Sequence, residues 1–395
     1  MRIAGERASG LYYFNLYEEI VFMSELHLNS LEITNFRCFE HLTIEKLGRV
    51  NLIVGKNSVG KTALLEALWL LNSDACWPVI HKILYDRNEL VRYRLDAMAS
   101  LTPMEQQEQM GALKSFFTGR PPKPYNQTKE PDPKFLYQDA LACSFVTSTE
   151  RFYLALRTVQ NILMCSDSRN TSIPLINGFS FQPHHCPALP QKEALDYSVI
   201  EESKKFKTVF IPLAGLSWKA TCTYWDDIVL TNKENEIISY LQLLDREISR
   251  FTFKGENMQD RVRYSVVKTG RFPDPLPLAN MGEGIQRIFA LALAMSTASN
   301  GYLIIDEFET GLHHSIQADV WRAVFKLAHE WNVQVFATTH SWDCVEAFQE
   351  AAAEDQNEEA MLIRLQRKRD GTGIVATPYD EESLKIVTRQ GIEVR

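Results

Sequence analysis

Gly55-Lys56-Asn57-Ser58-Val59-Gly60-Lys61-Thr62 stands directly after the apolar run Val50-Asn51-Leu52-Ile53-Val54 and directly before the helix-forming run Ala63-Leu64-Leu65-Glu66-Ala67-Leu68. A strand, a glycine-rich turn and a helix in that order make a cradle: backbone N–H groups converge on an anion, and the positive end of the helix points at it. The spacing G-x-x-x-x-G-K-T therefore predicts a phosphate-binding loop. In it, Lys61 neutralises charge on the outer phosphates and Thr62 offers a hydroxyl to a magnesium ion. An accidental match of four fixed letters is the competing reading, and the strand-loop-helix setting argues against it.

Far along the chain, Tyr302-Leu303-Ile304-Ile305-Asp306-Glu307 has the pattern of a buried strand that ends in two carboxylates. By itself such a run reads as a strand followed by a solvated turn. Paired with a phosphate loop, it predicts that Asp306 holds the magnesium shell and that Glu307 polarises the attacking water. The two motifs together imply a nucleoside triphosphate hydrolase.

The bulk properties set limits on that reading. With 395 residues, 45% hydrophobic and 23% charged, the chain can bury a large core, as two domains or as one with a long insertion. It has no apolar stretch long enough for a membrane span, and its first residues lack the apolar core of a signal peptide, so a cytoplasmic protein is expected. The 7 cysteines are scattered without a C-x-x-C pair and read as reduced core thiols. His184-His185-Cys186, flanked by Pro183 and Pro187, reads as a loop before it reads as a metal site. A net charge of −8 argues against a surface that binds nucleic acid throughout, but leaves room for a local basic groove. His81, Lys82, Arg87, Arg92 and Arg94 with Tyr85 and Tyr93 are the candidate, against a plain solvated helix face.

Residues 1–22 precede the first strand signal and read as an appendage. From Met23, Leu31–Phe36 and Leu42–Glu45 alternate as two antiparallel strands ahead of the phosphate loop. Residues 75–200 read as a largely helical insertion with a proline-rich connection from Gly119 to Pro133, although residues 141–158 alternate enough for strands. Within 201–269, Ile237, Ile238, Leu241, Leu244 and Ile248 form one helical stripe of core residues. An apolar helix over Ile285–Met295, an amphipathic helix marked by Ile316, Val320, Val324 and Leu327, and a strand Val333–Thr338 ending in Thr339-His340-Ser341 follow. Strands alternating with helices predict an α/β core: a P-loop NTPase with a mostly parallel sheet, an antiparallel N-terminal sheet and a helical insertion, ligands gathering at the carboxyl edge.

Five segments in this order resemble the ABC-type ATPase superfamily, in the branch of SMC-like and OLD-family proteins often described as AAA-family ATP-binding proteins. They are Asn35-Phe36-Arg37-Cys38-Phe39, the phosphate loop, Met281-Gly282-Glu283-Gly284, Ile305 to His313, and Thr338-Thr339-His340-Ser341. The resemblance covers residues 26–72 and about 270–370 well and the middle third loosely. It implies a head built from 23–74 and 270–395, with 201–269 leading into a signature lobe. It further implies ATP and Mg²⁺ bound between two protomers, with Gly55 to Ala63 of one subunit facing Asn280, Gly282 and Glu283 of the other. Asn280 stands where the family has a serine, and an amide can also donate to a phosphate oxygen. By the same resemblance His340 senses the γ-phosphate, against a plain capping role, and Glu309 and Gly311–His313 cross the dimer interface. Arg37 either approaches a phosphate or is a surface residue. The glutamine loop is unplaced, with Gln138 and Gln160 as candidates.

The function expected on this basis is an ATP-driven switch that dimerises or forms higher oligomers on ATP, in phage defence or DNA metabolism. Residues 341–395 leave no room for the TOPRIM nuclease domain of full OLD proteins, so a separate effector, such as a nuclease, is the expected partner, and nucleic acid is left open. Two alternatives stand beside it: an ATP-dependent scaffold that sequesters an effector through residues 75–200, and an ABC transporter motor, which the long insertion disfavours.

Overall fold

In the computed structural model the chain is described over residues 26–73, 77–89, 115–117, 140–148, 151–157, 162–166, 172–176, 206–242, 245–255, 263–354, 359–371 and 373–389. The hairpin β1 (Leu31–Phe36) and β2 (Phe39–Ile44) alternates buried with exposed residues, as a sheet with one covered face does. Next comes β3 (Val50–Val54), all of whose residues are buried. A strand with no wet side is covered on both faces, which is the habit of parallel sheets.

Its neighbours within the sheet are sequence-distant strands. β3 sits in a six-stranded sheet with β8 (Thr208–Ile211), β12 (Tyr302–Ile305), β13 (Gln334–Thr338), β14 (Ala360–Arg367) and β15 (Ile374–Tyr379), in the order β15-β14-β3-β13-β12-β8. Every pairing is parallel except that of β14 with β15. The register places Ile53 beside Thr338 and Ile305 beside Ala337, so β3, β13 and β12 finish side by side. The segments that leave this edge, Gly55–Thr62, Asp306–Glu307 and Thr339–Ser341, are thereby brought together although they lie far apart in the chain.

Strand alternation divides the interior in two. Val50, Leu52, Val54, Leu303, Ile305, Val335 and Ala337 face one core, with the helices α5 (Glu283–Thr297), α6 (His314–Glu330) and α7 (Trp342–Ala352). Ile53, Tyr302, Ile304 and Phe336 face the other, which holds α1 (Lys61–Asn72) and the apolar side of β1 and β2. The antiparallel sheet runs β2-β1-β4-β5-β6-β7, through β4 (Ala140–Thr147), β5 (Arg151–Arg157), β6 (Ile162–Ser166) and β7 (Ser172–Ile176). A third, three-stranded sheet joins β9 (Ile248–Gly255), β10 (Arg263–Thr269) and β11 (Leu276–Pro277). The remaining described helices are α2 (Trp77–Asp86), α3 (Trp218–Ile228), α4 (Asn232–Leu241) and α8 (Glu381–Arg389).

Two expectations differ from this architecture. Among its described residues the insertion over 75–200 holds the helix α2 and the strands β4 to β7, of which β4 pairs with β1 and so extends the N-terminal sheet; most of the segment expected to be helical lies outside the described residues. The single helix expected through Ile248 ends at Leu241. Asp245 makes the turn: its Oδ1 accepts the N–H of Glu247 at 3.1 Å, a local bond that competes with helix continuation, and Ile248 opens β9. Residues 1–22, Gln138, Gln160, His184, His185, Cys186, Arg92, Tyr93 and Arg94 lie outside the described residues.

At the heart of the first core, Trp321 is 0% exposed, stacked on Phe308 at 3.7 Å and edge-on to Phe348 at 4.9 Å. Trp321→Ala should lower unfolding stability by about 3–5 kcal/mol in urea titration, the usual cost of an unfilled aromatic site. A loss under about 1 kcal/mol would show that Trp321 does not hold this core.

Candidate functional site

The phosphate loop turns on two glycines. Gly60, the residue before α1, has φ +95°, and a Cβ there would come within 2.5 Å of Cys38 Sγ and 2.8 Å of the Phe39 ring. Gly55 likewise leaves 2.4 Å for a Cβ against the Leu365 carbonyl. Only glycine fits either place. Lys61 folds back over the loop, its Nζ donating to the carbonyls of Gly55 at 2.5 Å and Lys56 at 3.2 Å. Burial pulls the Lys61 pKa below its usual value, against the opposing pull of Asp306, Glu307 and Glu309. The loop opens on a cavity of about 710 Å³, lined among others by Asn57, Ser58, Lys61, Thr62 and His340.

The carboxylates reach the same place from β12. Thr62 Oγ1 donates to Asp306 Oδ2 at 3.4 Å, while Thr338 Oγ1, at the end of β13, donates to Asp306 Oδ1 at 2.7 Å and accepts the N–H of Glu307 at 2.9 Å. Glu307 adopts φ +49°, an unfavourable region for a residue with a Cβ, held by these neighbours. Its Oε1 lies 3.6 Å from Nε2 of His340. Glu309 Oε1 accepts the backbone N–H groups of His340 at 2.8 Å and Ser341 at 3.1 Å, tying the two edge loops together. The arrangement can place a base, a cation and a metal-binding oxygen pair around one phosphate chain. Among the described residues no cluster of three His, Cys, Asp or Glu side chains could hold a metal alone. A hydroxyl and a carboxylate oxygen side by side nevertheless fit Mg²⁺, which takes one or two protein oxygens and completes its shell with water and phosphate.

Other expected residues sit differently. Arg37 is neither a surface residue nor free to offer its whole guanidinium to a phosphate. Its Nε donates to Glu66 at 3.1 Å and its Nη1 to Glu89 at 2.8 Å, with the side chain 6% exposed, although it borders the phosphate-loop cavity. Arg87 pairs with the same Glu66, whose own pKa is pushed up by burial and held back by the two arginines. With Lys82 paired to Asp86, the described part of the proposed basic groove is neutralised within the fold. Cys143 and Cys344 are buried thiols as expected, but Cys38 is exposed at the phosphate loop. Asn280 lies on a 3₁₀ turn (Leu278–Met281), and Gly282 and Glu283 begin α5; Asn280 lines a second cavity that shares none of the phosphate loop's lining residues.

One residue of the site escaped sequence reasoning. Arg287, 7% exposed in α5, donates to the backbone carbonyl of Glu307 at 3.0 Å and reaches that of Asp306 at 3.5 Å. A single cation inside the mostly apolar run Ile285–Met295 was the available signal. A buried charge needs a partner, and such a residue calls for one to be sought.

Residues 27–107 match a family described as "AAA ATPase domain", and residues 224–343 match "AAA domain, putative AbiEii toxin, Type IV TA system". An ATP/GTP phosphatase of Helicobacter pylori is 22% identical over 374 residues, 91% of this chain and 97% of that protein. An uncharacterized protein of Methanocaldococcus jannaschii is 31% identical over 116 residues, 29% of this chain and 99% of that one. The DNA replication and repair protein RecF of Clostridioides difficile matches 47 residues at 45% identity, 12% of this chain and 13% of its own length. Among solved structures, an Smc head bound to the C-winged helix domain of ScpA overlays with a TM-score of 0.46 at 12% identity, covering 91% of this chain and 99% of that one. One matched segment carries the phosphate loop and the other carries Arg287, Asp306, Glu307 and His340, so the two AAA ATPase-domain matches fall on the residues that converge at the sheet edge, and the chain is an ATPase with the parts of an AAA domain.

Proposed function

We propose that this ATPase is a switch in which ATP closes two copies of the chain on each other and hydrolysis releases them, working in phage defence or DNA metabolism beside a separate effector protein. One observation carries the dimer reading: the phosphate loop and the Asn280–Gly284 turn open on separate cavities of the same chain. The turn ends at an uncapped helix N-terminus, a phosphate-binding element, yet it does not border the phosphates' own cavity. A second copy supplies the way to join them. The matches to a family described with a type IV TA system toxin and to a DNA replication and repair protein support the defence or DNA-metabolism setting.

Within the closed site, backbone N–H groups of Gly55 to Ala63 and the N-terminus of α1 bind the phosphates, and Lys61 swings from its carbonyl acceptors to the β- and γ-phosphates. Thr62 and Asp306 would hold Mg²⁺, which when bound neutralises charge on the phosphate oxygens. Glu307 orients the attacking water, and His340, 3.6 Å from it, sits where loss of the γ-phosphate is felt first. Arg287 keeps the Asp306–Glu307 turn in place by holding its carbonyls. Positioning and charge neutralisation do most of the work in such a transfer.

Glu307→Gln should still bind ATP and accumulate nucleotide-bound dimers in light scattering while turnover falls by about 10²-fold or more, the range for a lost general base. Turnover equal to the unsubstituted protein's would rule out Glu307 as the water-orienting residue. Arg287→Met should lower turnover about tenfold or more with little change in ATP affinity, since the buried bonds it removes shape the carboxylate turn and do not touch the phosphates. A change confined to ATP affinity would contradict that placement.

A further inference from the structure

Arg37 stands at the tip of the β1–β2 hairpin with φ +52°, a backbone region that a residue with a Cβ enters only under strain. Its N–H donates to the Phe116 carbonyl at 2.8 Å, and Phe36 bridges to Phe117, so the short segment 115–117 is laid against the hairpin. The guanidinium lies 4.7 Å over the Phe116 ring. Its Nε donates to Glu66 at 3.1 Å, and its Nη1 donates to both oxygens of Glu89 at 2.8 Å and to Ser115 Oγ at 3.1 Å. Ser115 Oγ in turn donates to Glu89 Oε2 at 2.6 Å. Nη2 is buried and has no partner.

This cage faces the nucleotide side of the molecule. Arg37, Glu89 and Ser115 border the same cavity as Ser58, Gly60, Lys61 and Thr62 of the phosphate loop. A guanidinium edge in that position is matched to phosphate oxygens, with which it makes charge-assisted bonds. Here that edge is withheld, because Nη1 is engaged by Glu89 and Ser115 and Nη2 is buried. The two carboxylates that hold Arg37 differ in what they belong to. Glu66 lies in α1, the helix that the phosphate loop opens, and is bonded to Arg87 as well. Glu89 and Ser115 lie in the insertion, and the Glu89 side chain keeps 21% of its surface in solvent. The grip on Nη1 is therefore the removable one. Carboxylate and phosphate compete for one guanidinium edge, and in this state the carboxylate has it.

We propose that the contact of Glu89 and Ser115 with Arg37 is autoinhibitory: it keeps the guanidinium from the nucleotide, and when the two residues withdraw, Arg37 turns to the phosphates and ATP binds more tightly. The inference rests on the reading of residues 55–62 as the ATP site and adds a regulator to it. Because Glu89 and Ser115 both belong to the insertion, displacement of this part of the insertion by the separate effector protein proposed above raises ATP affinity. By linkage, bound ATP favours the displaced insertion to the same extent.

The test is calorimetric titration of the full chain with the non-hydrolysable β,γ-imido analogue of ATP in the presence of Mg²⁺. Glu89→Gln, which keeps the side chain's shape and removes its charge, should bind the analogue about tenfold more tightly than the unsubstituted protein, the scale of one charge-assisted bond passed to the ligand. Ser115→Ala removes the hydroxyl that orients Glu89 and should tighten binding about threefold. A residue with a merely structural part in the cavity wall would weaken binding when changed. In chains carrying Arg37→Met, adding Glu89→Gln should alter affinity by less than about twofold, because the guanidinium that makes the difference is gone. A gain that persists undiminished there would assign the effect to the negative charge of Glu89 alone and overturn the inference. Where Glu89→Gln does not fold, Ser115→Ala decides. Unchanged or weaker binding in the folded variants would overturn the inference and leave the ATP site standing, whereas failure of the unsubstituted protein to bind the analogue would overturn the site reading itself.

Discussion

The hydroxyl of Thr338 accepts the backbone N–H of Glu307 and donates to the carboxylate of Asp306, and the geometry of the nucleotide edge depends on that pair of bonds. They exist because β12 and β13 are parallel and in register, Ile305 beside Ala337, so that the two strands end level. A slip by one residue would turn Thr338 to the opposite face and leave Glu307 without the bond that stabilises its positive φ. Pairing of β13 with β3, Thr338 beside Ile53, then delivers the phosphate loop to the same edge.

Everything else in the fold keeps that edge rigid. The parallel sheet is walled on both faces: Phe308 and Trp321 stack under the carboxylate loop on one side, and α1 with Ile53 and Phe336 fills the other. Arg287 crosses from α5 to the carbonyls of Asp306 and Glu307, so the helix that begins at Gly282 is mechanically tied to the residue that faces water. The link is a buried charge-assisted hydrogen bond between α5 and the carboxylate turn. A parallel tie runs through Glu309 to the backbone of His340 and Ser341.

On the other flank, the ion pairs of Glu66 with Arg37 and Arg87, and of Arg37 with Glu89, hold the N-terminal hairpin against α1. Charges at that depth are costly unless mutually bonded, and here one carboxylate serves two guanidinium groups. Their role is to seat the wall of the phosphate-loop cavity. An arginine after a strand, which by pattern suits either a phosphate or solvent, is here held through Nε and Nη1 by two carboxylates, while its Nη2 is left without a partner in a residue that borders the phosphate-loop cavity.

The local sequence alone determined the elements whose chemistry is contained in a short window. The phosphate loop is one: strand, glycines, lysine and threonine are contiguous, and Gly60 and Gly55 are required by backbone conformation and close approach within and around that window. The buried strand ending in Asp306-Glu307 is another, since its apolar run and its acidic end adjoin. Tertiary structure decided whatever depended on a distant partner: that the segment around β4 to β7 extends the N-terminal sheet, that Arg37 is consumed by Glu66 and Glu89, and that Arg287 braces the carboxylate turn. The physical reason is the same in each case. A backbone turn and an alternating strand are set by nearest neighbours, whereas the partner of a buried charge, 20 residues away for Arg287 and 52 for Arg37 with Glu89, is fixed only when the chain folds back on itself.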